Sequence, residues 1–304
     1  MSFNPKARID QSQIENRTGG ASDGGGFSGG IPGIPGGGGS HLGIGGTIIV
    51  VILGLIFGFN PFSSSGTGTD SSTVTSDNCS TGADANATDS CAIDLVTNSV
   101  QDYWRTAYPA QTGKEYTVIK TVKFETTTSS ACGTANSDMG PFYCPNDQVV
   151  YLDSTFFKTM LQGQLHAKGG PFTIGYVVAH EYGHHIEDEL GILGQIRTAQ
   201  GPASDSVRVE LMADCLAGQW AKFATTTKDA EGNAIISDLT QDDIARAIDS
   251  ARAVGDDTIE KENGGQVNPE SFTHGTSAQR IKWFNIGLDK GTIKACNTFN
   301  VDSL

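Results

Sequence analysis

Positive charge is scarce in this chain. Over 304 residues, 20 Lys and Arg stand against 34 Asp and Glu, a net charge of −14. A nucleic-acid surface needs clustered cations to neutralise phosphates, so that class of partner is excluded. A phosphate-binding loop is missing too: GGGGSHLGIGG is rich in glycine, but it carries no GK[ST] and follows no strand. No CxxC or CxxxC occurs, which argues against paired-cysteine zinc knuckles. No cysteine stands before residue 79.

Glycine is abundant, but its excess is local. Fifteen of the 39 glycines fall in residues 19–46, a stretch that favours flexible coil over a packed core. What remains, roughly 200 residues, is enough to bury a core without help.

Leu42–Phe59 (LGIGGTIIVVILGLIFGF) is an uncharged run of 18 residues, near the lower limit for a membrane-spanning helix. A buried core helix would need an apolar shell that the neighbouring sequence lacks. A cleaved signal peptide would begin nearer the start and be followed by a small-residue cleavage site, and NPFSSSGTGTD offers none. The run is therefore expected to be a single transmembrane helix. Lys6, Arg8 and Arg17 precede it and no Lys or Arg follows before Arg105, which orients the N-terminus toward the cytoplasm.

The cysteines agree with that orientation. Cys79, Cys91, Cys132, Cys144, Cys215 and Cys296 all follow the run, and an even number confined to one side suggests disulfides in an oxidising compartment. Six cysteines allow 15 pairings. No argument from the sequence selects among them; 79–91, 132–144 and 215–296 is a guess. The expected organisation is a cytoplasmic tail and Gly-rich linker over 1–41, the membrane helix over 42–59, a Ser/Thr/Gly-rich linker over 60–90 and a folded domain over 91–304.

Within that domain, Leu95, Val96, Val100, Tyr103 and Trp104 recur at helical spacing and predict a helix over Asp94–Tyr108. Tyr116–Glu125 and Gln148–Asp153 read as strands. Ser154–Leu165 and Phe172–Leu190 read as helices, the latter closed by Gly191 at C′. Ser204 or Asp205 caps a further helix that runs to about Phe223, and two more are expected near 240–253 and 276–287. Strands first and helices after predict an α+β fold with a small sheet.

Two helices carry the chemistry. His180-Glu181-Tyr182-Gly183-His184 sets two imidazoles one turn apart on one face, where both can reach a zinc ion at roughly 2.0–2.1 Å. Glu181 lies about 60° around the helix from His184, so it can flank the ion and take a proton from a water there. The bland alternative is a surface helix with incidental histidines. Catalytic zinc normally has three protein ligands, so a third is needed. Glu210 and Asp214 share one face of an otherwise apolar helix, where carboxylates are costly unless paired or metal-bound. Glu210 is the expected third ligand, and Asp214 the acceptor for a ligand imidazole N–H. The competing reading is an exposed acidic pair. His185 points about 100° away from His184 and is expected in solvent or behind the site. His166 and His41 belong to no motif. His274, on a loop entering a helix, can donate to an oxyanion or merely pack. Arg280 can pair with an acidic group of the site, bind a substrate carboxylate or cap structure.

With these motifs assembled, the sequence resembles the bacterial "putative neutral zinc metallopeptidase" family. The likeness rests on GPFYCPNDQVVYLDSTFF (140–157), VVAHEYGHHIED (177–188), VELMADCLAGQWA (209–221), PESFTHGTSAQRIKWFNIGLDKG (269–291) and ACNTF (295–299). The leader ARIDQSQIENR is also similar. The resemblance implies a gluzincin-like zincin domain anchored by one span in the bacterial inner membrane, with its catalytic part extracytoplasmic. It implies Zn²⁺ on His180, His184 and Glu210, Glu181 as catalytic base and a peptide or protein substrate. It further implies that substrate adds as a strand to Gln148–Asp153, along Val149, Val150 and Tyr151. The expected function is a membrane-anchored zinc endopeptidase with Glu181 and His274 in catalysis. The rival is a non-catalytic, zinc-stabilised binding or scaffold module at the membrane.

Overall fold

Two long helices meet so closely that side chains must be missing between them. They are α3 (Pro171–Glu189) and α4 (Asp205–Phe223). Pro171 opens α3 where an absent N–H costs nothing, and Gly191 (φ 75°) follows its end. Ser204 caps α4 by accepting from the Val207 N–H at 3.3 Å. A Cβ on Gly183 would stand 2.9 Å from Ala213 Cα, so only glycine lets the two backbones approach this far. The other side of α4 meets α7 (Ser277–Lys290), where a Cβ on Gly287 would collide with the Cys215 carbonyl. The structure, a computed structural model, describes residues 1–17, 78–262 and 264–304.

Thr88 caps α2 (Asp89–Thr112), whose Leu95, Val96, Val100 and Trp104 are buried to 0% exposure. It follows the short α1 (Gly82–Ala87) and extends beyond the expected Asp94–Tyr108 at both ends. The main sheet has four strands in the order β2–β3–β7–β6. These are β2 (Ile14–Asn16), β3 (Lys120–Phe124), β6 (Phe142–Cys144) and β7 (Val149–Asp153). β3 runs parallel to both β2 and β7, with Lys120 opposite Val149 and Phe124 opposite Asp153. β6 is antiparallel to β7 and forms the edge among the described residues. β4 (Thr127–Ser130) and β5 (Gly133–Asn136) make a separate hairpin. β1 (Ser2–Phe3) pairs with β8 (Ile236–Asp238). Phe157–Gln164 winds as a π-helix between β7 and α3. α5 (Gln241–Ala253), α6 (Asp256–Glu262) and α8 (Ile293–Cys296) complete the helices.

Several expectations need correction. The described residues form a mixed α/β structure with small sheets, not an α+β domain behind a transmembrane helix. Among the described residues no helix is long and apolar enough to cross a membrane. Leu42–Phe59 itself lies outside the described residues. The physical reason for the correction lies in its flanks. A single crossing by that run would put residues 1–17 and 78–304 on opposite faces of a bilayer with a core about 30 Å thick. Instead β2 pairs with β3, and the Arg17 N–H donates to the Lys123 carbonyl at 2.7 Å. The Asp10 N–H donates to Asn98 Oδ1 at 2.8 Å, and Asn98 Nδ2 returns a bond to the Asp10 carbonyl. Residues 1–17, expected as a separate tail, are strands and core of the same body, with Phe3 and Ala7 buried. Helical structure also lies within the expected linker over 60–90, at α1 and the start of α2.

Three disulfides staple the body: Cys79–Cys91, Cys132–Cys144 and Cys215–Cys296. With sequence separations of 12, 12 and 81, loop-closure entropy makes the third the most stabilising, about 4.5 kcal/mol against about 3 for each of the others. That third bridge ties α4 to α8.

Candidate metal centre

Helical periodicity turns His180 and His184 of α3 toward α4, and Glu210 of α4 meets them. His180 Nε2 lies 3.2 Å from Glu210 Oε2, and His184 Nε2 lies 3.6 Å from Glu210 Oε1. One ligand atom from each residue falls within 4.8 Å of the others, and all three side chains are buried. Zinc bonds of roughly 2.0–2.1 Å at tetrahedral angles would set ligand atoms about 3.3–3.4 Å apart. The donor set and its spacing fit that ion.

The far side of each imidazole is engaged. His180 Nδ1 is 3.0 Å from Asp214 Oδ1, and His184 Nδ1 is 2.8 Å from Glu187 Oε2. A carboxylate there accepts a hydrogen bond from the Nδ1–H, which keeps the ring proton on Nδ1 and leaves the Nε2 lone pair facing the cavity. Asp214 is itself held firmly. Tyr176 donates its hydroxyl to Oδ1 at 2.6 Å, while Arg280 donates Nε to Oδ2 at 2.8 Å and Nη2 to Oδ1 at 2.9 Å. Burial alone would raise the Asp214 pKa, but Arg280 and the bond from His180 hold it below the ordinary carboxylate value.

Glu181 borders the same cavity without joining the ligand trio. Burial first, and then the charge of Glu210, push its pKa up to about 7 against the pull of His180 and the Tyr143 backbone N–H. The cavity has a volume of about 60 Å³, room for an ion and a few waters. Phe142, Phe156, Leu161, Val177 and Val254 supply apolar walls.

His274 reaches this cavity from the loop before α7. Its Nδ1 lies 3.0 Å from Asp256 Oδ1. The other Asp256 oxygen accepts the backbone N–H groups of Thr273, His274 and Gly275 at 2.7, 2.7 and 2.9 Å. Burial would raise the Asp256 pKa, but His274 and these amides keep it below the ordinary value. The arrangement clamps both loop and ring and leaves His274 Nε2 free of that clamp.

Other residues fall elsewhere. Val149, Val150 and Tyr151 sit in β7 between β3 and β6, so they are interior and cannot receive an added strand. The edge beside Glu181 is β6. His185 is buried, not solvated: its Nε2 lies 2.8 Å from the Thr117 carbonyl and its Nδ1 3.3 Å from the Tyr143 hydroxyl. His166 is exposed, and His41 lies outside the described residues. Arg280 gives its remaining bonds to the Tyr176 hydroxyl and the Val254 carbonyl. Sequence reasoning passed over Glu187, Tyr176 and Asp256. Glu187 had a signal, a carboxylate one turn after His184 on an apolar helix. Asp256 had none, because 18 residues separate it from His274.

Comparison with known proteins meets this geometry from another side. A family model described as "Putative neutral zinc metallopeptidase" matches residues 4–299. An uncharacterized protein of Mycobacterium tuberculosis, Rv2575, is 43% identical over 228 residues, covering 74% of this chain and 76% of that protein. The uncharacterized protein YpfJ of Escherichia coli K12 is 40% identical over 211 residues, covering 67% of this chain and 69% of its own length. No solved structure is significantly similar to the chain.

Proposed function

The chain belongs to the putative neutral zinc metallopeptidase family, and from that premise we propose that it is a zinc-dependent endopeptidase with Glu181 as its general base. One observation carries the reading: His180, His184 and Glu210 converge with both Nδ1 atoms occupied by carboxylates, and Glu181 stands beside them. Among the described residues no fourth His, Cys, Asp or Glu joins the trio, which favours an open catalytic site over a closed structural one.

Zinc bound to these three residues would supply a water of lowered pKa and polarise a scissile carbonyl. The protein's own groups do the rest. Glu181, buried and raised toward neutrality, takes the water proton and passes it to the leaving amine. His274, aimed by Asp256, donates to the oxyanion that develops on the carbonyl. The outer edge of β6 can align an extended substrate beside Glu181. Arg280 spends its donors on Asp214, Tyr176 and Val254, so it does not await a substrate's terminal carboxylate. That supports attack on internal bonds. The three disulfides support a working location outside the reducing cytosol.

The test is cleavage of a peptide library by the full chain, with and without chelator, beside Glu181→Gln. We expect chelator-sensitive cleavage at internal bonds. The Gln variant should retain zinc while hydrolysis falls about 10²- to 10⁴-fold. Full activity in that variant removes the base assignment.

A further inference from the structure

The two imidazoles of the trio are backed very differently. Behind His180, Asp214 is anchored by Tyr176 and by both arms of Arg280. Behind His184 stands Glu187 alone. It is fully buried. Its Oε2 lies 2.8 Å from His184 Nδ1, and its Oε1 has no hydrogen-bond partner among the described residues. A buried carboxyl oxygen left without a donor costs folding free energy. Among the described residues the Glu187 carboxyl makes no hydrogen bond other than that to the ring of a metal-ligand candidate.

We propose that Glu187 is the positioning residue for His184. Its Oε2 accepts the Nδ1–H, fixes the tautomer and rotation of the ring, and thereby directs the Nε2 lone pair into the site. The inference rests on the zinc-peptidase reading.

The experiment uses the full chain as wild type, Glu187→Leu and Glu187→Gln. Zn²⁺ affinity is read by competition with a chromogenic chelator, and apoprotein stability by thermal unfolding. Glu187→Leu should bind Zn²⁺ about 10- to 100-fold more weakly while its apoprotein still unfolds in one cooperative transition. Glu187→Gln keeps an oxygen that can accept from Nδ1 and should stay within a few-fold of wild type (roughly the lower end of that range or less). Unchanged affinity in Glu187→Leu overturns the inference. So does an equal loss in the Gln variant. A wild type that takes up no Zn²⁺ overturns the metal centre itself, a separate and distinguishable failure.

Discussion

The floor and the rim of the cavity are built on different principles. The floor is two helices, α3 and α4, in which one turn of spacing sets His180 beside His184 and places Glu210 opposite. Gly183 lets the backbones close up, and a disulfide ties α4 to α8. The rim is gathered from far apart: Phe142 on β6, Phe156 before the π-helix, Val254 after α5 and His274 before α7. The floor brings its three candidate ligands together through two packed helices. The rim depends on loops that are positioned only when the whole chain has folded, and the Asp256 clamp on residues 273–275 shows how much bonding that takes. On the proposed function, metal retention would fall to the floor and substrate handling to the rim.

Substitutions can break that division. The largest effect should come from Glu210→Ala, which leaves two protein ligands where catalytic zinc needs three. Zinc content and hydrolysis should both fall to background; unchanged stoichiometry by elemental analysis would move the third ligand elsewhere. At the rim, His274→Ala should lower kcat about 10²- to 10³-fold, as loss of an oxyanion donor does, with zinc content untouched. Loss of zinc in that variant would merge the two regions into one. Gly183→Val strikes the floor through packing. The added carbons meet Ala213 in close contact, so unfolding free energy should drop by about 1–3 kcal/mol. Equal stability would mean that α3 and α4 can slide apart freely.

The smallest effect is a pH dependence of the rim. The folded Asp256 carboxyl is held below its ordinary value. Its contribution to stability is therefore complete above the unfolded pKa of about 3.9 and is lost as pH falls through the lower folded value. Asp256→Asn should flatten the acid limb of a melting-temperature profile below about pH 4. An unaltered acid limb would mean that the clamp holds by hydrogen bonding without charge.

Legibility followed the same division. α3 runs over 171–189 where Phe172–Leu190 was expected, and of the two caps read for α4 it is Ser204 that serves. Those helices announce themselves by period and caps within a few residues. Strands of two to four residues do not: β1, β2, β6 and β8 are too short for alternation to show. The segment 1–17 looked like a tail because its sequence is polar, yet it is held by backbone pairing, to which side-chain hydropathy is blind. Leu42–Phe59 read as a span on local hydropathy alone, which cannot register that its two flanks belong to one sheet. Gln148–Asp153 was correctly a strand, but nothing in its residues tells an edge from a centre.

The helical faces that carry His180, Glu181, His184, Glu210 and Asp214 were set by the amino-acid sequence itself, since 3.6 residues per turn fixes which side chains share a side. Which strand borders the cavity, what backs each imidazole, and where residues 1–17 lie were decided only in three dimensions. Those choices rest on contacts between residues far apart along the chain, whose partners no local period encodes.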